Sequence, residues 1–370
     1  MNIPNLRFPD FSDDWQVSKL GDVTSKIGSG STPRGGEEVY TSDGILFIRS
    51  QNVKRNILDL TDSTFIPEEV HFQMSGSEVK SNDVLLNITG ASIGRSCVVP
   101  SSVITGNVNQ HVCIVRTGRH LEPNFLQPFL ASRRGQKLIY QGQTGSGREG
   151  LNFQSIRSFK LSLPTKPEQQ KIAAFLTAVD NKIEQLSKKQ ALLGEYKKGL
   201  TQQIFSQAIR FKADDGSDFP DWKEKKLGGV GRIRKGSQLN KSELTDTGDY
   251  PAINGGINPS GYTDKWNTGK NTITISEGGN SCGYINFITS KFWSGGHCYS
   301  IEELKGDVLN RFLFQYLKFN EHLIMRLRVG SGLPNIQKGE INNFKVNLPS
   351  LEEQTKIANL LSSIDSKIEQ

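Results

Sequence analysis

Residues 163–185, LPTKPEQQKIAAFLTAVDNKIEQ, return as residues 348–370, LPSLEEQTKIANLLSSIDSKIEQ, with 13 of 23 positions identical and an interval of 185 residues. A segment repeated at a fixed interval means that the chain carries one structural plan twice, and this limits the fold more than any local propensity does. The interval holds upstream: TGSG at Thr144 matches VGSG at Val329, and Cys97 and Cys113 match Cys282 and Cys298. An earlier marker, DWQVSKLGDV from Asp14 and DWKEKKLGGV from Asp221, is offset by 207 instead, so the early part of each half has diverged in length. Similar ends with dissimilar middles predict a shared frame that carries a variable surface.

The repeated segment reads as a helix. Pro167 fits a first turn, and the acid that follows it suits the positive end of the helix dipole. Ile172, Leu176, Val179, Ile183, Leu186, Leu193, Leu200 and Ile204 then recur at three- and four-residue steps, a coiled-coil-like seam interrupted by Gln190 and Lys197 at core positions. Some forty residues at 1.5 Å each make a rod of roughly 60 Å. Ile357, Leu361, Ile364 and Ile368 repeat the seam, and the natural partner of one copy is the other.

Elsewhere each half is β-rich. GILFIRSQNV, DVLLNITGASIG, HVCIVR, NTITISEGG and GYINFITS are short β-branched or aromatic runs bounded by Gly, Asn, Ser and Pro. Short helices are expected in PNFLQPFLASRRGQKLI and NRFLFQYLKFNEHLIMRL, with Phe312, Tyr316, Leu317 and Leu323 facing a core. The expected class is α+β: two β-rich domains separated by long helices that pair as an antiparallel coiled coil, in a pseudo-two-fold internal repeat. The expected boundaries are 1–160 for the first variable domain, 161–210 for the central helix, 211–346 for the second variable domain and 347–370 for an incomplete C-terminal helix.

Lys and Arg number 45 against 38 Asp and Glu, a net charge of +7 that suits a partner carrying phosphates. No window approaches a membrane span and the N-terminus lacks a basic-then-apolar signal, so the expected location is cytoplasmic, with reduced cysteines. The four cysteines form no CxxC pair, and they are expected to be buried thiols rather than metal ligands, although His111 and His297 stand near two of them. No metal site is expected.

Three partial matches to catalytic patterns occur, each incomplete. GSGREG at Gly145 matches G-x-G-x-x-G but opens no strand–helix dinucleotide unit, and its counterpart GSGLPN lacks the third glycine. PDWKEK at Pro220 imitates an acidic-plus-lysine nuclease signature with carboxylates too close together, and its counterpart SDDWQVSK lacks the glutamate. NPSGY at Asn258 lacks the second proline of an amino-methyltransferase loop. No catalytic residue and no cofactor of the chain's own are expected. An autonomous nuclease or methyltransferase, and a carbohydrate-binding β-protein that dimerises through its helices, are the rival classes.

With two copies of LP…EQ.KIA..L…D.KIEQ, paired W….LG starts and two variable β-rich halves, the chain closely resembles the specificity subunits of type I restriction–modification systems over nearly its whole length. The resemblance implies two target recognition domains, each reading one part of a bipartite double-stranded DNA site, and paired helices that set the unread spacer. It implies two methyltransferase subunits docked on the helices and two motor–nuclease subunits completing the complex. S-adenosylmethionine, ATP and magnesium would belong to those partners, which methylate adenine at N6 and cut DNA.

Base readers are expected on loops and strand ends carrying Arg, Lys, Asn, Gln, Ser or Thr. In the first half these are Arg34, Arg49, Asn52, Thr89, Arg95, Asn109, Gln110 and Arg148. In the second they are Asn254, Asn258, Lys265, Lys270, Ser276, Asn280, His297, Asn335 and Gln337. An Asn beside glycine also forms turns, and an exposed Arg or Lys also meets phosphate, so the loops are stronger candidates as sets than residue by residue.

Overall fold

The structure is a computed structural model that describes residues 4, 6–144, 150–330, 332 and 334–370. The chain divides into two compact units, residues 1–185 and 186–370.

Unit 1 has a central antiparallel sheet of β1 (Thr24–Ser29), β2 (Val84–Asn87), β3 (Ser96–Val98) and β4 (Val112–Thr117), in the order β1-β4-β2-β3. Unit 2 repeats the order with β5 (Arg232–Lys235), β6 (Thr272–Ser276), β7 (Ile285–Ile288) and β8 (Cys298–Glu302), arranged β5-β8-β6-β7. The register repeats as well. Ile27 and Val84 both stand opposite Val115, and Ile233 and Ile273 both stand opposite Ile301. The β-branched runs supply side chains to both faces of the central strands, so Val84, Leu85 and Leu86 are all fully buried.

A second small sheet in each unit contains one parallel pair, Leu46–Ile48 with Gly106–Val108 in unit 1 and Ala252–Ile253 with Trp293–Ser294 in unit 2. A two-stranded ribbon joins the beginning of each unit's fold to the strand before its helix: Gln16–Lys19 pairs with Lys160–Leu163, and Lys223–Lys226 with Lys345–Leu348. The paired W….LG starts are the first strands of these ribbons.

Helices cover the sheets. In unit 1, α1 (Pro123–Ala131) buries Phe125, Leu126 and Leu130, and a second helix follows at Arg133–Gln141. The 40-residue α2 (Lys166–Phe205) starts with Pro167 in its first turn, as expected. In unit 2, α3 (Asn310–Phe319) buries Phe312, Tyr316 and Leu317. Leu323 departs from the amphipathic expectation: it lies on the next short helix and is 38 % exposed, because there the buried position is taken by Ile324.

The second repeat helix, α4 (Leu351–Glu369), is capped by Ser350, whose side chain accepts from the Glu353 amide. It buries Ile357 and Leu361 in a core shared with Leu200, Ile204 and Phe205 at the end of α2, and Ile364 is buried further along. The two run antiparallel: Gln190 Nε2 donates to the Ile368 carbonyl at one end, and Lys197 meets Asp365 at 2.5 Å. Gln190 and Lys197, the polar interruptions of the seam, therefore form the polar links between the helices and fix their register. The first stretch of the seam is different. Val179, Ile183 and Leu186 are exposed, whereas Ile172 packs on the unit 1 core.

The repeated Glu-Gln pair has a purely structural explanation. Arg7 donates from Nε and Nη2 to the two carboxylate oxygens of Glu168, both at 2.7 Å, and Trp15 Nε1 adds a bond at 3.2 Å. In unit 2, Arg210 binds Glu353 through the same two nitrogens at 3.2 and 2.9 Å, and Trp222 Nε1 donates at 3.2 Å. Both carboxylates are fully buried, a position a charge occupies only when paired and hydrogen-bonded. Beside them, Gln169 Nε2 bonds the His120 and Pro164 carbonyls, and Gln354 Nε2 bonds those of Asp307 and Pro349. Each pair thus pins the first turn of its helix to the segment before the first ribbon strand and to the loop before the covering helix.

Candidate nucleic-acid interface

The variable residues gather where β1, β4 and β2 end in unit 1. Beyond β1 the chain passes so close to the end of the Thr105–Val108 strand of the second sheet that a Cβ on Gly30 would lie 1.7 Å from the Val108 carbonyl oxygen. Only glycine fits there. This approach brings Thr32 against Gln110, whose Oε1 accepts from the Thr32 hydroxyl at 2.8 Å. His111 Nδ1 and the Thr89 hydroxyl lie 2.5 Å apart, and the Asn109 side chain accepts from the His111 amide. Thr89 also bridges to Gly150, the last residue of GSGREG. Loops far apart in sequence thus meet, uniting Thr89, Asn109 and Gln110 of the expected readers, with exposed Arg34 two residues beyond Thr32.

The other unit 1 candidates separate from this cluster. Asn52 is buried, and its amide is used within its own turn, accepting from Arg49 N and donating to the Asp59 and Asp62 carbonyls. Its burial and three backbone bonds hold the amide within the fold. Arg49 lies over the Tyr40 ring, 3.7 Å from Asp62. Arg95 joins Arg55 and Gln136 on the lining of a cleft of about 310 Å³. Arg148 lies outside the described residues.

Unit 2 builds the equivalent place with different side chains. A Cβ on Gly236 would lie 2.3 Å from the Ser294 carbonyl, the same obstruction as at Gly30. His297 occupies the position of His111, since both precede the strand that pairs centrally in the sheet. The Asn254 side chain accepts from the His297 amide, and His297 Nδ1 is 3.4 Å from Glu277. Gly278 bridges to Asn335, and Gln337 donates to the Asn335 side chain. Asn254, His297, Asn335 and Gln337 therefore come together. Ser276 lies beneath them, buried, with its hydroxyl donated to the Gly255 carbonyl. Lys265 is tied to Glu243 at 2.6 Å, whereas Asn258, Lys270 and Asn280 are exposed.

Sequence reasoning missed Glu277. Burial works to raise its carboxyl, but bonds from Lys235 and Tyr299 and the charges of Lys235 and His297 hold it below the usual range. Burial, and then the same contact with Glu277, push the Tyr299 hydroxyl upward. The available signal was the acid beside two glycines in ISEGGNS. The cysteines lie in the cores: burial raises Cys97 and Cys113 to about 12, and Cys298 to about 11. Among the described residues no group of three or more His, Cys, Asp or Glu is arranged to hold a metal ion. No helix among them is long and apolar enough to cross a membrane.

Comparison with known proteins agrees with this duplicated architecture. A family profile described as the type I restriction modification DNA specificity domain matches twice, over residues 12–193 and 220–370. The type I restriction enzyme MjaVIII specificity subunit of Methanocaldococcus jannaschii is 24 % identical over 398 residues, covering 98 % of this chain and 88 % of that protein. The EcoBI specificity subunit of Escherichia coli is 26 % identical over 203 residues, 54 % of this chain and 42 % of that protein. The crystal structure of a type I restriction–modification S subunit from M. genitalium superposes with a TM-score of 0.67 at 18 % identity, covering 96 % of this chain and 91 % of that one. With two matches that together span most of its length, the chain belongs to the family of type I restriction–modification DNA specificity subunits.

Proposed function

We infer that each unit reads one block of a split double-stranded DNA target, and that the chain directs partner subunits to methylate adenine at N6 or to cut. The observation that carries this reading is the repeated strand-end cluster: one sheet topology and one glycine-dependent close approach, presenting Thr32, Thr89, Gln110 and His111 in one unit and Asn254, His297 and Gln337 in the other. One scaffold carrying two sets of donors and acceptors suits the reading of two different base sequences, since bases are distinguished by hydrogen-bond pattern at the groove edge. Arg34, Lys270 and the other exposed cations serve phosphate contacts, which position the protein without specifying sequence. The recognition domains are assigned to residues 1–160 and 211–346, with 161–210 and 347–370 as helical segments.

The methyltransferase subunits dock on those helical segments, one for each repeat, and motor–nuclease subunits complete the assembly in the cytoplasm. S-adenosylmethionine, ATP and magnesium are held by the partners, so this chain works without a cofactor or catalytic residue of its own. The test is reconstitution with a cognate methyltransferase subunit, with S-adenosylmethionine supplied, and mapping of N6-methyladenine across genomic DNA. Methylation at one split motif that disappears when this chain is omitted is the expected result. Methylation by the chain alone, or the same motif without the chain, overturns the reading.

A further inference from the structure

The two clusters differ by an exchange. In unit 1 the residue two beyond the obligatory glycine is Thr32, a short side chain, and the residue preceding the histidine is Gln110, a long amide. In unit 2 the residue two beyond the glycine is Gln238, and the residue preceding the histidine is Gly296. The strand registers establish the equivalence: Ser29 stands opposite Cys113 and Lys235 opposite Tyr299, so Thr32 matches Gln238 and Gln110 matches Gly296. The pairs touch in both units. Thr32 bonds Gln110, and a Cβ on Gly296 would lie 2.9 Å from Gln238 Oε1.

We propose that Gln110 and Gln238 are one base-reading amide carried on opposite loops in the two units, and that Gln238 reads an adenine in the second block of the target. The proposal rests on the function inferred above. Gln238 is exposed, and among the described residues its amide makes a single 3.3 Å bond, from Nε2 to the adjacent Leu239 carbonyl, so a ligand can replace that weak local bond and engage both donor and acceptor. Its backbone, by contrast, is fixed just upstream. Gly236 N donates to Cys298 O, Ser237 N donates to Ser294 O, and Trp293 Nε1 holds the Ser237 carbonyl at 2.8 Å. A terminal amide on an anchored backbone suits bidentate pairing with adenine N6 and N7. Gly296 leaves room for it, as Thr32 leaves room for Gln110.

The test uses the full chain with its methyltransferase subunit and S-adenosylmethionine, read as the methylated motif across genomic DNA together with the chain's melting temperature. Gln238→Ala is expected to lose roughly ten- to hundredfold discrimination at one adenine of the second block, leaving the first block unchanged. Moving the amide to the other loop, Gln238→Thr with Gly296→Gln, is expected to restore preference at that same position. If Gln238→Ala abolishes methylation in a chain that still melts normally, recovery by the double variant supports the proposal and no recovery overturns it. An unchanged motif in Gln238→Ala also overturns it, while leaving the function itself standing. A wild-type complex without any split motif would instead overturn the function beneath it, and the proposal with it.

Discussion

The two repeat helices begin identically and end in different surroundings. Residues 168 and 353 are buried glutamates, each held by one Arg and one Trp, with similar geometry at each. Eleven residues along, the likeness stops: Ile364 is 4 % exposed, whereas its counterpart Val179 is 40 % exposed. The same seam sequence is therefore core in one unit and surface in the other. Burial, not propensity, decides what each apolar residue contributes, since an uncovered seam gains little from its apolar side chains.

Substitutions can break or sharpen this comparison. Leu361→Ala removes a fully buried side chain and is expected to cost about 3 kcal/mol, read as a fall in the unfolding transition. The equivalent Leu176→Ala, at a partly covered position, should cost less than about 1 kcal/mol. Equal losses at both sites would mean that the first seam is also covered.

The obligatory glycines should respond alike. Gly30→Ala and Gly236→Ala each force a Cβ onto a carbonyl oxygen and are expected to cost about 2 kcal/mol by displacing the adjacent loop. Each should also weaken discrimination in its own DNA block alone, read from the methylation motif. At the clamps, Trp15→Phe and Trp222→Phe remove one bond to a buried carboxylate and are each expected to cost about 1.5 kcal/mol in thermal melts.

The smallest expected effect separates the units by pH. The Glu277 carboxyl is depressed in the folded chain, so its stabilising contribution is complete above the ordinary carboxyl value of 4.5 and is lost as pH falls through the lower folded value. Ile88 occupies the corresponding position in unit 1 and cannot titrate. Melting of Glu277→Gln between pH 6 and pH 3.5 should therefore show a shallower acid decline than wild type. An identical decline would remove Glu277 from the account.

Much of the frame was legible from residues alone. The duplicated segment announced two units, the β-branched runs located β2, β4, β6 and β7, and the three- and four-residue steps located α2 and α4. Glu168 could be read only as a favourable acid near a helix start, because its Arg7 partner lies 161 residues away and no local rule joins them. The exchange of Thr32 and Gln110 for Gln238 and Gly296 was hidden for a related reason. Thr32 and Gln238 are separated by 238 − 32 = 206 positions and the two histidines by 297 − 111 = 186, so no single alignment offset places all four together. Asn52 shows what residue type alone conceals: a side chain suited to base reading is buried, with its amide bonded to backbone at Arg49, Asp59 and Asp62.

The account's central claim is that two structurally equivalent clusters read two separate blocks of DNA. The most direct test compares the methylation motif of the reconstituted complex carrying Gln110→Ala with that carrying His297→Ala, both in chains of wild-type melting temperature. The account predicts altered discrimination in one block for the first variant and only in the other block for the second. A single substitution that alters both blocks, or two folded and assembled variants that leave the motif unchanged, would contradict it.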